Sequence, residues 1–248
     1  MSVFSKKQSL NKDIEKERVV FLWLAKVKMD TSIEAHERVL FSIYMNLTGE
    51  STCSRTGQHW IDVGFQNEDP QTDIRGSGML GLMQMLYFSE KYNELANRYV
   101  VHSQMPDHLF PFIIKWFEFT TLTMKLIRSG KLNKIFNDNN NMNIISNELY
   151  SASVWLFMSK YIQSHGNIRH VNEISVKVEE YVTKEPKKML HQFSTYIKSL
   201  QENDDQFNQK QKEFTTFERP KVNDSDNEDD DEEDYHQPGA NRLNKYAM

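Results

Sequence analysis

A chain of 248 residues with 38% hydrophobic side chains and 12% aromatics has the length for one large domain or two small ones, and the apolar content for a sizeable core. Nine of its 35 acids fall between Asp224 and Asp234, and residues 1–220 are close to neutral, which disfavours a nucleic-acid-binding body because such a surface needs surplus Lys and Arg. Cys53 is alone, which excludes an internal disulfide and zinc sites built on paired thiolates.

Met1 to Lys7 lack the apolar stretch of a secretory signal, residue 2 is Ser, and no Cys lies near the C-terminus, so signal, myristoyl and prenyl anchors are not expected. The longest apolar run, Val19 to Ala25, is far below the ~18 residues that span a bilayer. The expectation is a soluble, cytoplasmic protein with no integral membrane segment.

Leu10, Ile14, Phe21, Leu22 and Ala25 recur at helical spacings and predict a first helix. Thr31-Ser32-Ile33-Glu34 resembles a capping box opening a helix whose inner face carries Val39, Leu40, Ile43 and Leu47, with Gly49 as its stop. Residues 49–77 hold little helical period and several breakers, and the buried-looking Trp60, Ile61, Val63 and Phe65 predict a long ordered loop. Apolar residues on nearly every side from Met79 to Phe88 suit a central helix. A helix is expected from about Pro111 to Arg128, with Ile113, Ile114, Phe117, Thr121 and Met124 as its stripe and Gly130 as its end. Asn137 to Asn141 read as a turn, after which Ser146 can cap a helix bearing Tyr150, Val154, Phe157, Met158 and Tyr161, ended at Gly166. Ile174, Val178, Tyr181 and Val182 begin another, which Pro186 should break before Leu190, Phe193, Ile197 and Leu200 resume the stripe. The division is a helical extension over 1–30, a main all-α domain over 31–202, and a disordered acidic tail over 203–248 whose composition cannot offset its ordering entropy.

Arg75 to Gly81 contain a formal G-x-G-x-x-G, but no buried strand precedes it and no βαβ alternation follows, so Gly78 and Gly81 read as close helix packing instead of a nucleotide cradle. Eight His residues show no metal-ligand spacing, and neither a nucleophile elbow nor a lysine-bearing phosphate loop is present. Chemistry performed by this chain alone therefore has little support.

The most specific stretch runs from His59 to Leu82, and within it Trp60, Gly64, Phe65, Gln66, Pro70, Thr72, Asp73, Arg75, Gly76, Gly78, Leu80 and Leu82 stand at the fixed positions of one long motif. It closely resembles the signature of the ELMO (engulfment and cell motility) domain, and a looser likeness in helix pattern extends from about His36 to Leu200. The resemblance implies a compact multi-helix domain with a long ordered signature loop. Such domains occur in scaffolds that partner Dock-type exchange factors and in smaller ELMOD-type proteins that activate GTP hydrolysis by Arf-family and Arf-like GTPases. This chain is similar to the second kind, and the resemblance makes Arg75 its catalytic residue, acting in trans. The cofactors, GTP and Mg, would belong to the partner GTPase, and membrane or cytoskeletal recruitment would come through a partner. A non-catalytic helical adaptor is the alternative, and a module for basic partners built on the acidic tail is a third.

Two readings of Arg75 stay open on the residues alone. It precedes the start of the Met79–Phe88 helix, whose N-terminus would attract an anion, so its guanidinium could reinforce a phosphate-facing site. Alternatively it pairs with Asp62, Asp69 or Asp73 and fixes the loop. Gln66 and Asp73 are expected first as backbone support. Ser225-Asp226-Asn227-Glu228 resembles a site for an acid-directed kinase.

Overall fold

The computed structural model describes residues 8–105 and 110–215, with Arg75 and 203–215 described by backbone alone; the expectations for the acidic run and for Ser225 lie outside these residues. The helical period becomes α1 (Lys12–Leu24), α2 (Glu34–Thr48), α3 (Gln58–Asp62), α4 (Gln71–Ile74) with a 3-10 turn at Arg75–Ser77, α5 (Gly78–Lys91) and α6 (Asn93–Ser103). It continues as α7 (Phe112–Ser129), α8 (Asn133–Asn139), α9 (Met142–Gln163), α10 (Val171–Lys184) and α11 (Pro186–Thr215). No strand occurs among the described residues, and none of their helices is long and apolar enough to cross a membrane.

The nearly continuous apolar surface of α5 places it at the centre: Leu80, Leu82, Met85 and Phe88 are buried, and the helix packs on α1, α2, α6, α7 and α9. Burial there extends to polar Gln84, whose Nε2 donates to the Ser146 carbonyl at 3.4 Å. At the far end of α5 the Glu148 carboxylate of α9 accepts from the Tyr92 hydroxyl at 2.7 Å and from Lys91 Nζ at 2.6 Å.

Several boundaries differ from the expectation for identifiable reasons. The capping box does not form: the residue before α2 is Ile33, the Asp30 carboxylate accepts from the Ser32 amide at 2.9 Å and its hydroxyl at 2.7 Å, and Glu34 pairs with Arg38. Asp30 folds Thr31 and Ser32 into a side-chain turn, so the helix starts beyond Thr31. The buried face of α7 is rotated toward Phe112, Trp116 and Thr120, leaving Thr121 exposed and Ile114 half-buried, and Pro111 sits just before the helix. Ser146 caps nothing; α9 begins four residues earlier, where Asn141 Oδ1 accepts from the Ile144 amide at 2.9 Å. The same end is closed from outside by Glu17 of α1, whose Oε2 accepts from the Met142 amide at 2.9 Å and the Asn143 amide at 3.0 Å. The expected stops hold at Gly49 (φ 77°) and Gly130 (φ 71°), and Pro186 separates α10 from α11.

Residues 1–195 form one compact unit, within which Met189 and Phe193 of α11 are buried, the latter with its ring 5.0 Å from that of Tyr92. A second unit begins at Tyr196, and its α11 backbone remains helical to Thr215, so helix reaches into the segment where composition predicts no order.

Candidate functional site

The signature loop is anchored by aromatic burial. Trp60, on α3, has no exposed surface; its indole lies between Tyr44 (centroids 5.1 Å apart) and Phe65 (5.4 Å), and Nε1 donates to the Ser54 carbonyl at 3.1 Å. Phe65 continues the contact to Phe117 of α7 at 6.4 Å. Burial, with a hydrogen bond to Glu50, pushes the Tyr44 phenol up to about 12, so this ring stays neutral at physiological pH.

Gly64 is required at its position. Its φ is 101°, and a Cβ there would stand 2.0 Å from the Phe112 ring, while its carbonyl accepts from the Ile113 amide at 3.3 Å. The loop is closed at its base where the Gly57 amide donates to the Glu68 carbonyl at 2.9 Å.

Beyond that point side-chain carboxylates direct the backbone. Asp69 Oδ1 accepts from the Gln71 amide at 3.0 Å, and its carbonyl accepts from the Thr72 hydroxyl at 2.8 Å; with Pro70 buried, these contacts start the single turn of α4. Asp73 is 1% exposed, and its Oδ2 accepts from the Gln66 amide at 2.6 Å while Oδ1 accepts from Asn67 Nδ2 at 2.9 Å. Asp73 thus supports the backbone, as expected, and Gln66 contributes its amide to the same clamp.

Each of the three carboxylates considered for Arg75 has a partner among the described side chains. Asp69 pairs with Arg55 Nη1 at 2.9 Å, Asp62 accepts from Gln58 Nε2 at 3.1 Å, and Asp73 is engaged as above. The Arg75 side chain lies outside the described residues; its backbone opens the 3-10 turn that continues through Gly76 to Ser77.

Past this turn the chain is buried again. Gly78 has φ 55°, and a Cβ on it would stand 2.5 Å from the Ala25 carbonyl oxygen and 2.7 Å from that of Val27. The Met79 amide donates to the Val27 carbonyl at 2.8 Å. Gly81 packs against Phe117 and the Ser77 side chain, where a Cβ would come within 2.8 Å and 2.4 Å. Both glycines therefore serve close packing. The anion-attracting N-terminus expected at this helix is instead covered by the segment after α1, and Ser77 Oγ turns away to donate to the Ile74 carbonyl at 2.6 Å. Gly76 is exposed, with nothing within 4 Å of where its Cβ would be. Within the turn, Gly76 reaches solvent while Ser77 is buried.

Two depressions flank the segment. One of about 210 Å³ is lined by Lys28, Met29, Gln71, Thr72, Ile74 and Gly78. The other, about 350 Å³, lies beside Gln66 and is floored by Phe65 and Phe110. Sequence reasoning did not single out Arg55, Asn67, Gln71, or the Val27 and Met29 carbonyls. Met29 accepts from Gln71 Nε2 at 3.1 Å, and Arg55 Nη2 donates to Gln71 Oε1 at 3.0 Å. Asn67 and Gln71 lie inside the motif and could have been found there, whereas a backbone carbonyl acceptor leaves no mark on residue type.

Comparison with known proteins agrees with the geometry. The ELMO/CED-12 family matches residues 21–221. The chain is 29% identical over 197 residues to ELMO domain-containing protein 3 of Bos taurus, covering 76% of this chain and 50% of that protein. Over 178 residues it is 31% identical to ELMO domain-containing protein B of Dictyostelium discoideum, covering 71% of this chain and 59% of the relative. Identity to ELMO domain-containing protein 2 of Mus musculus is 32% over 104 residues, covering 42% and 36% respectively. No solved structure matches. The chain spans about half the length of the curated relatives it matches most extensively. With a family match over most of its length and a buried loop built from the signature residues, the chain belongs to the ELMO/CED-12 family.

Proposed function

We propose that the chain is a GTPase-activating protein for Arf-family or Arf-like small GTPases and supplies Arg75 in trans as an arginine finger. The supporting observation is how the turn is held. Asp73 fixes its approach by clamping Gln66 and Asn67, and Gly78 and Met79 fix its exit against Ala25 and Val27, while Gly76 between them is exposed. A short turn anchored at both ends suits a side chain that must enter another protein's site with little loss of freedom.

The chemistry asked of Arg75 is electrostatic. As the bond to the γ-phosphate breaks, negative charge is redistributed over the phosphate oxygens, and a planar guanidinium can meet it with two parallel hydrogen bonds. The nucleotide, Mg²⁺ and attacking water belong to the partner. Trp60, Gly64, Phe65, Pro70, Thr72, Asp73, Gly76 and Gly78 would hold the turn, and Gln66, whose amide Asp73 clamps, has an exposed side chain that would meet the partner. The protein would act in the cytoplasm, brought to membranes or cytoskeletal structures by its partner.

A second reading, a non-catalytic adaptor for a small GTPase, is favoured by one observation: the Val27 carbonyl occupies the Met79 amide, so the start of α5 offers no anion site to assist the arginine. GTP-locked Arf-family and Arf-like GTPases used as bait, followed by single-turnover hydrolysis by the hydrolysis-competent form of every GTPase that binds, separate the two. Accelerated hydrolysis supports the activator; binding without acceleration supports the adaptor.

A further inference from the structure

We infer that the outward face of α1 is a docking surface for an anionic lipid bilayer, formed by this chain's own residues and independent of the GTPase reading. The helix has two apolar faces. Ile14 and Phe21 are buried in the core, while Val19, Val20 and Trp23 lie together on another face and are 61%, 57% and 59% exposed. A helix that had only to fold would carry polar residues there, and large apolar side chains grouped on one face differ from the single ones that protein surfaces commonly tolerate. The patch continues into a groove of about 340 Å³ between α1 and the start of α9, where Val20, Phe21 and Leu24 meet Asn143. Ile144, 49% exposed, stands next to it in the chain.

Charge selects the occupant. Lys12 and Lys16 lie at helical spacing beside the apolar group and are exposed, and the exposed Lys26 and Lys28 follow on the exit segment. The acids of α1 are engaged within the protein: Glu15 with Arg18, Glu17 with the α9 amides, and Asp13 with Lys16 at 2.9 Å. The two ion pairs cancel and Asp30 is turned to Ser32, so the charges left at the rim are those of Lys12, Lys26 and Lys28, all positive. A protein partner's polar rim would call for mixed donors and acceptors, whereas a bilayer of anionic headgroups calls for ammonium groups around an apolar centre. Trp is suited to that centre because its ring settles at the headgroup boundary, and lysine stems can lie along the apolar layer with their charge among the phosphates. The chain's net charge of −5 does not oppose this, because at physiological ionic strength fields decay within about 8 Å and the local lysines dominate.

The test uses the full 248-residue protein and vesicles of phosphatidylcholine alone or with phosphatidylserine. Co-sedimentation with the phosphatidylserine vesicles only, weakening as salt rises, is expected. Trp60 and Trp116 are fully buried and Trp155 is half-buried against Phe193, so Trp23 is the most exposed of the four tryptophans and a blue shift of emission on binding should come mainly from it; Trp23→Phe should lose most of the shift while still binding. Trp23→Ser should weaken binding by at least about tenfold, and Lys12→Glu or Lys26→Glu by roughly fivefold or more each. The inference is overturned if the folded protein ignores phosphatidylserine vesicles, or if it binds them equally well with Trp23→Ser and with the lysine variants. It is also overturned if sedimentation velocity shows a dimer that Trp23→Ser dissolves, since the face would then be an interface between copies of the chain.

Discussion

Trp60 and Asp73 show how two very different side chains stabilise one loop. Trp60 contributes by area: it is fully buried against Tyr44 and Phe65, and Trp60→Ala should lower unfolding free energy by ~3–5 kcal/mol in a urea titration. A fully stable Trp60→Ala protein would contradict the anchoring role. Asp73 contributes by acceptor count, since both of its oxygens receive N–H groups where water has almost no access. Asp73→Asn keeps shape and volume but must turn an NH₂ toward one of those donors, so it should cost about 1–3 kcal/mol, read from the same titration. Both residues were legible in the sequence because their chemistry is local to the motif. The Arg55–Asp69 pair was not legible in the same way: the two stand fourteen residues apart, and residue types alone do not show which arginine the fold brings close.

Helix faces and glycine stops were readable wherever period or backbone conformation left a trace, as in α2, α5 and α10. The two misplaced helix starts share a cause, competition from a nearby polar side chain. Asp30 captured Ser32 ahead of the proposed capping box, and Asn141 with Glu17 closed α9 ahead of Ser146. α6 was missed because no breaker separates it from α5, although Leu95, Ala96, Tyr99 and Val100 repeat at helical spacing and are buried. The start of α9 gives a test at this scale. Asn141→Ala should lower stability by about 1 kcal/mol, and because Glu17 still serves the Met142 and Asn143 amides, the loss should grow when Glu17→Ala is added. Urea titrations of the two single variants and the double variant measure this coupling, and an Asn141→Ala protein as stable as the parent would show that Glu17 alone closes the helix.

At the scale of the molecule, residues 1–195 carry the buried helices and the signature loop, and α11 contributes Met189 and Phe193 to that core before Tyr196. Ending the chain after Glu202 should therefore leave the thermal midpoint within a few degrees, while a larger loss would show that the removed segment is needed for the fold. The central claim is that this scaffold presents Arg75 to another protein's nucleotide, and the magnitudes make it decidable. A finger contributes roughly 10³- to 10⁵-fold in rate, about 4–7 kcal/mol in the transition state, against ~0–1 kcal/mol of folding stability for a surface ion pair. The most direct measurement is single-turnover GTP hydrolysis by a bound Arf-family or Arf-like GTPase, with parent protein and with Arg75→Lys, both checked by circular dichroism. The account predicts that Arg75→Lys folds and binds the GTP-loaded partner but loses the acceleration, because lysine lacks the planar fork that meets the transition state. An Arg75→Lys protein that accelerates hydrolysis as well as the parent would contradict it.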